Sequence, residues 1–232
     1  MKRKVEFLLS AAEPWQFPQE PLPEVAFLGR SNVGKSSLIN ALVGQPGIAK
    51  TSATPGCTRL INFFRVEDRF LLVDLPGYGY AKGPIADKEA WGPLVEGYLR
   101  DREMLRLSVV LLDSRRGWMD KDLELKSWLE FHNRPFVVAA TKVDKLNQKE
   151  EHHGLAAIRR PLGLAAPFGL KKTNPSETAT PIDPLQAPLS EGSTPPALGI
   201  PIVDENMLIP CSVKTGRGVR ELWQTIWKRM NL

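Results

Sequence analysis

One octapeptide constrains the fold of this chain more than any other feature. Gly29-Arg30-Ser31-Asn32-Val33-Gly34-Lys35-Ser36 fills every fixed position of a GxxxxGK[ST] loop. It follows the apolar run of residues 25–28 and opens a helical pattern over residues 35–43. Strand, glycine-rich turn and helix, in that order, are the context in which such a loop works. The glycines let the backbone curl so that successive N–H groups face inward around phosphate oxygens. The helix N-terminus adds the positive end of its dipole. Lys35 is placed to reach the β- and γ-phosphates of a nucleoside triphosphate, and the Ser36 hydroxyl to ligate Mg2+.

The rest of the chain supplies a sheet to carry that loop. Residues 25–28, 70–73, 109–112 and 136–140 are continuous apolar runs, the pattern of strands buried on both faces. Residues 62–66 precede the second run with only Glu67-Asp68-Arg69 between, which suits a hairpin and one antiparallel strand at the edge. Residues 207–211 supply a last short strand. Helical patterns cover residues 35–43, 87–100, 120–131, 148–160 and 219–230, the last with an apolar stripe of Leu222, Trp223, Ile226 and Trp227. The prediction is an α/β fold, doubly wound in three layers, with a mostly parallel six-stranded sheet and one antiparallel edge strand. Residues 1–23 are expected as a lead-in and residues 24–232 as a single nucleotide-binding domain. Nine prolines between residues 161 and 201 prevent helix or central strand from propagating there. Residues 165–201 therefore read as a flexible insertion, with a proline-rich docking segment as the alternative.

Composition removes several other chemistries. The two cysteines, Cys57 and Cys211, form no CxxC pattern, and three histidines are too few for a zinc-hydrolase cluster. A reducing cytoplasm is the expected compartment. No apolar stretch approaches the roughly 20 residues of a membrane-spanning helix. Glu6 interrupts the short apolar segment after Met1-Lys2-Arg3-Lys4, so a secretion signal is rejected. The net charge of +5 is compatible with a polyanionic partner and equally with simple solubility. Arg115, Arg116, Lys228 and Arg229 are candidate phosphate contacts on that reading.

Two further motifs narrow the ligand. Asp74-Leu75-Pro76-Gly77 closes an apolar run, where a carboxylate can hold magnesium through water and the Gly77 N–H can approach a γ-phosphate. Thr141-Lys142-Val143-Asp144 closes another. Guanine offers N1–H and a 2-amino group side by side, and one carboxylate accepts both; adenine lacks that pair. Asp144 would thus select guanine, with the Lys142 stem lying on the base or its sugar. Cys211-Ser212-Val213, after the last strand, is placed to offer backbone N–H groups to guanine O6. Gly56-Cys57-Thr58-Arg59-Leu60 precedes the edge strand, and the Thr58 hydroxyl there can close over magnesium, with Thr54 the alternative.

Together these residues resemble the EngB (YihA/YsxC) family of the TrmE–Era–EngA group of P-loop GTPases. The likeness runs from the lead-in, residues 10–24, through GRSNVGKSS, residues 29–37. It continues in Thr54-Pro55-Gly56-x-Thr58, Asn62-Phe63, Asp74-Leu75-Pro76-Gly77-Tyr78-Gly79-Tyr80-Ala81 and Trp91. It covers nearly the whole chain apart from the proline-rich insertion, which departs from the usual family length. The resemblance implies GTP and GDP as ligands, Mg2+ as cofactor and a GTPase acting in assembly of the large ribosomal subunit; a monomer is expected. It also implies a connection with normal cell division and septation. Asn32 matches the asparagine of related potassium-dependent enzymes, which implies K+ beside the phosphates; an ordinary loop-stabilising asparagine is the alternative.

Mechanistic expectations follow. Lys35, Asn32, Thr58 and Gly77 form the catalytic set. Tyr78 stands where related switches place a water-orienting glutamine, so intrinsic turnover is expected to be slow. A γ-phosphate held by Thr58 through Mg2+ and by Gly77 would order residues 51–60 and 78–84 as a surface for ribosomal RNA or protein. An RNA-binding module using nucleotide only as structural support is the competing reading. A small-molecule kinase is disfavoured by the guanine motif.

Overall fold

The continuous apolar runs become the interior of one sheet. The computed structural model describes residues 3–49, 60–78, 92–164 and 207–231. Among them are strands β1 (Val5–Ala11), β2 (Glu24–Gly29), β3 (Ile61–Val66), β4 (Phe70–Asp74), β5 (Leu105–Asp113), β6 (Phe136–Thr141) and β7 (Leu208–Pro210). They pair in the order β1-β3-β4-β2-β5-β6-β7. Every residue of β2, β4 and β6 is buried, as expected of strands covered on both faces.

The covering helices are α1 (Lys35–Val43), α2 (Pro93–Asp101), α3 (Asp120–Phe131), α4 (Gln148–Arg159) and α5 (Val219–Arg229). Because side chains alternate across a strand, β2 feeds two cores. Ala26 and Leu28 join a cluster with Tyr98 of α2, Leu129 of α3 and Ile158 of α4. Val25 and Phe27 join another with Leu38 and Leu42 of α1 and Leu222 and Ile226 of α5. These are the three expected layers.

Two expectations need correction. The sheet has seven strands and not six, because residues 5–11 of the lead-in form β1. β1 runs antiparallel to β3, from Val5 opposite Val66 to Ala11 opposite Ile61, with a register shift between Phe7 and Leu9. The Ser10 hydroxyl donates to Asn62 Oδ1 at 2.6 Å across that pair. β3 is indeed the strand that opposes its neighbours, but β1 covers it, so it lies one place in from the edge. The second helix is described from Pro93, whose fixed φ suits a first helical turn; the predicted residues 87–91 lie outside the described residues. So do residues 50–59, 79–91 and 165–206, with Gly56, Cys57, Thr58, Arg59 and the proline-rich segment.

At the amino end of the sheet, Glu24 is fully buried and accepts from Tyr98 Oη at 2.8 Å and Arg102 Nη2 at 2.6 Å. Removing one partner of a buried ion pair leaves an uncompensated charge. Arg102→Ala is therefore expected to cost about 3 kcal/mol, read as a lower urea midpoint with unchanged slope. An unchanged midpoint would show that Tyr98 alone satisfies the carboxylate.

The chain passes from β2 by way of β3 to β4 on one side of β2, then crosses to β5 on its other side. Such a reversal opens a crevice beyond the carboxyl ends of the strands, where ligands of doubly wound folds bind.

Candidate functional site

Gly29, at the carboxyl end of β2, tolerates no side chain. A Cβ there would lie 2.8 Å from Val33 Cγ1 and 3.1 Å from Leu111 Cβ. Asn32 (φ 64°) and Gly34 (φ 105°) then take left-handed conformations on either side of Val33. Val33 is buried and anchors the loop, while Arg30, Ser31, Gly34 and Ser36 remain partly accessible. α1 begins at Lys35 with no side-chain cap and no acidic residue in its first turn. Its first N–H groups are thus left for an anion.

The second motif lies against this loop. Leu75 N–H donates to Phe27 O at 3.2 Å, and Tyr78 N–H to Gly29 O at 3.2 Å. Ser31 N–H in turn donates to Tyr78 O at 3.1 Å. Asp74 is buried and forms an ion pair with Lys35 Nζ. The two residues assigned to phosphate and to magnesium therefore meet. A Cβ on Gly77 would stand 3.2 Å from Ser31 Oγ and 3.3 Å from its Cα. Pro76 is half-buried beside it. Tyr78 is buried with its ring directed inward, its Oη donating to Asp122 Oδ1 at 2.8 Å. Burial, reinforced by the Asp122 charge, pushes this phenol far above its ordinary pKa. The Asp122 carboxyl is also raised, by burial.

The third motif is tied to the first. Thr141 Oγ1 donates to Val33 O at 2.8 Å, and Lys142 Nζ to Asn32 O at 2.7 Å. Val143 is buried and holds the turn down. Asp144 Oδ1 accepts from the Ser212 hydroxyl at 2.7 Å, a bond that lowers the carboxyl pKa from its ordinary value. The loop, Asp74 and the Thr141–Asp144 turn thus share one rim of the sheet.

The Cys211-Ser212-Val213 expectation needs correction at its first two residues. Cys211 N–H donates to Ala140 O at 2.7 Å and Ser212 N–H to Arg217 O at 3.0 Å, so neither is aimed at a base. Ser212 contributes through its side chain instead. Val213 N–H makes no hydrogen bond among the described residues. Burial pushes the Cys211 thiol up to about 12, which leaves it unreactive. Leu60 is exposed at the entry to β3.

Asp113 was not predicted. It ends β5 and accepts from Lys142 Nζ at 2.9 Å and from Arg115 Nη2 at 2.6 Å. Burial alone would raise its pKa, but these hydrogen bonds outweigh it and hold the carboxyl well below the usual range. The signal was the one that exposed Asp74, a carboxylate closing an apolar run. Arg115 is thereby paired rather than free. Beside the loop a cavity of about 350 Å³ is lined by Arg30, Asn32, Arg116, Met119 and Lys142 among others.

Comparison with known proteins follows the same outline. A family model described as 50S ribosome-binding GTPase matches residues 24–142. A protein of Solibacter usitatus named Probable GTP-binding protein EngB is 48% identical over 96% of this chain and 94% of its own length. One of Desulforamulus reducens with the same name is 52% identical over 69% of this chain and 78% of its own. The crystal structure of a probable GTP-binding protein engB superposes with a TM-score of 0.58 at 23% identity, covering 90% of this chain and 98% of that one. Era in complex with MgGDPNP and a fragment of 16S ribosomal RNA gives 0.56 at 21% identity, over 90% of this chain and 56% of Era. At such identities these structures speak for the fold alone.

Proposed function

The chain belongs to the EngB family of GTP-binding proteins and is a P-loop GTPase, and from that premise we propose that it is a nucleotide-controlled assembly factor for the large ribosomal subunit. On this reading it acts as a cytoplasmic monomer whose GTP form binds the subunit and whose hydrolysis releases it. Normal cell division and septation then depend on it through the supply of ribosomes. The observation that carries the reading is the joining of three motifs on one rim: Asp74 on Lys35, Gly77 against Ser31, and Lys142 on the Asn32 carbonyl. A change at the γ-phosphate therefore has direct structural contacts through which to act. The description of the matching family model favours a ribosomal partner.

Lys35 and the uncapped start of α1 bind the phosphates, and Asp144, braced by Ser212, binds the guanine edge. Mg2+ fits the donors present. Ser36 and Asp74 offer hard oxygens, while the described residues contain no cluster of three His, Cys, Asp or Glu. A cation here would take most of its ligands from phosphate and water, as Mg2+ does. Thr58 would complete the set. The ion supplies neutralisation of phosphate charge when bound. Asn32, exposed on the loop, would face K+ in the same region. Tyr78 cannot align water while its ring is buried against α3, so unassisted hydrolysis is slow and an activator is needed. No helix among the described residues is long and apolar enough to cross a membrane.

Sedimentation with isolated large subunits tests the proposal. Retention with a non-hydrolysable GTP analogue is expected to exceed that with GDP by about 10-fold, within the usual range of coupling between two ligands. Equal retention with analogue, GDP and no nucleotide would favour an RNA-binding module with nucleotide as structural support. No retention in any state would remove the ribosomal partner.

A further inference from the structure

The residue after DxxG touches three elements at once. Its main chain forms a parallel bridge between Tyr78 and Arg30, which extends the pairing of β2 and β4 beyond both strands into the P-loop. Its side chain crosses 44 positions of sequence to reach Asp122 in the first turn of α3. Both partners are almost wholly buried, Tyr78 at 2% exposure and Asp122 at 1%. The second oxygen of Asp122 accepts Met119 N–H at 3.0 Å, so the carboxylate is fixed at both ends. α3 is itself fixed through Leu125 and Leu129 in the core.

Gly77, by contrast, is exposed and has no side chain to anchor it. A glycine holds a defined orientation only if its neighbours impose one. On one side Ser31 leaves no room for a side chain, since a Cβ on Gly77 would lie 3.2–3.3 Å from its atoms. On the other side stands Tyr78.

We infer that Tyr78 and Asp122 are positioning residues that hold the Gly77 N–H in line for a γ-phosphate, so that the hydrogen bond between them raises the affinity for GTP relative to that for GDP. The inference rests on the reading of Gly77 as the γ-phosphate contact. A donor fixed before binding spares the ligand the cost of ordering it. GDP carries no γ-phosphate and makes no demand on Gly77, so it gains nothing from the anchor. Only the triphosphate is sensitive to it, because a ligand shifts an equilibrium only by its differential interaction with the two arrangements. Neither residue touches the substrate; both act through Gly77.

Three single variants, Tyr78→Phe, Asp122→Ala and Gly77→Ala, are compared by calorimetry with GDP and with a non-hydrolysable GTP analogue, and urea midpoints report folding. For Tyr78→Phe, analogue affinity is expected to fall about 10-fold and GDP affinity to stay within about twofold. Tyr78→Phe/Asp122→Ala should lose no more analogue affinity than the worse single variant, since both remove one bond. Equal loss for both nucleotides, or an unchanged ratio in folded Tyr78→Phe, overturns the inference. If Gly77→Ala lowers the ratio of analogue to GDP affinity while the other two leave it intact, the anchor is wrong and the reading of Gly77 stands. If all three leave it intact, both fall.

Discussion

Asp144→Asn is expected to weaken GDP and GTP binding by about 10³-fold and to create affinity for xanthine nucleotides, because a site built to pair with specific donors rejects a mismatched edge strongly. The Ser212 hydroxyl occupies one lone pair of Asp144 Oδ1, which orients the carboxylate and leaves its remaining acceptor sites for a ligand. Guanine meets it with two donors. An asparagine presents one acceptor and one donor, so its amide N–H would face the 2-amino group of guanine, donor against donor. Xanthine carries a carbonyl at that carbon and an N1–H beside it, which complements asparagine. Competition between GDP and XDP on wild type and variant measures the exchange. Undiminished GDP affinity in the variant would mean that the base lies elsewhere.

The parts of this site that were legible in the sequence are those whose signal is contiguous. The P-loop, Asp74 and Thr141–Asp144 each sit at the end of an apolar run that can be read without knowing its neighbours. β1 escaped because its partner is β3, with Val5 opposite Val66, and because Glu6 and an exposed Phe7 break its pattern. In the sheet Glu6 pairs with Arg65. Asp122 escaped for a similar reason: nothing local distinguishes it from the solvated carboxylates of a helical first turn. The misassigned N–H groups of Cys211 and Ser212 show a different limit. The Cys211 N–H is taken up by Ala140 O of β6, and the direction of the Ser212 N–H is set by a turn that closes through Arg217 and Gly218. Gly218 has a φ of 73°, and a Cβ on it would lie 2.1 Å from Pro210 O. Composition named the residues of that turn but not the way their amides point.

The strongest consequence for catalysis lies at Lys35. Its ammonium and the Asp74 carboxylate are only 12% and 9% exposed, and each is the other's counter-charge. Removing the cation does two things at once. It deletes the positive group that phosphates require, and it leaves a carboxylate pointing into the space they must enter. Loss of one preorganised electrostatic contact typically costs about 10²–10³ in turnover, and repulsion from an unpaired Asp74 adds to the loss in binding. Lys35→Met is therefore expected to reduce GTP hydrolysis at least about 10³-fold and to weaken GTP more than GDP, since Lys35 serves the outer phosphates. A second substitution separates the two effects. In Lys35→Met/Asp74→Asn, titrated without Mg2+ so that the magnesium role of Asp74 does not enter, the repulsion is gone, so GDP affinity should recover substantially while hydrolysis stays lost. Single-turnover rates and nucleotide titrations on the three proteins provide the measurement. Equal GDP affinity in Lys35→Met and the double variant would show that the Asp74 charge does not act on the nucleotide. Wild-type hydrolysis in Lys35→Met would remove Lys35 from the phosphate site altogether.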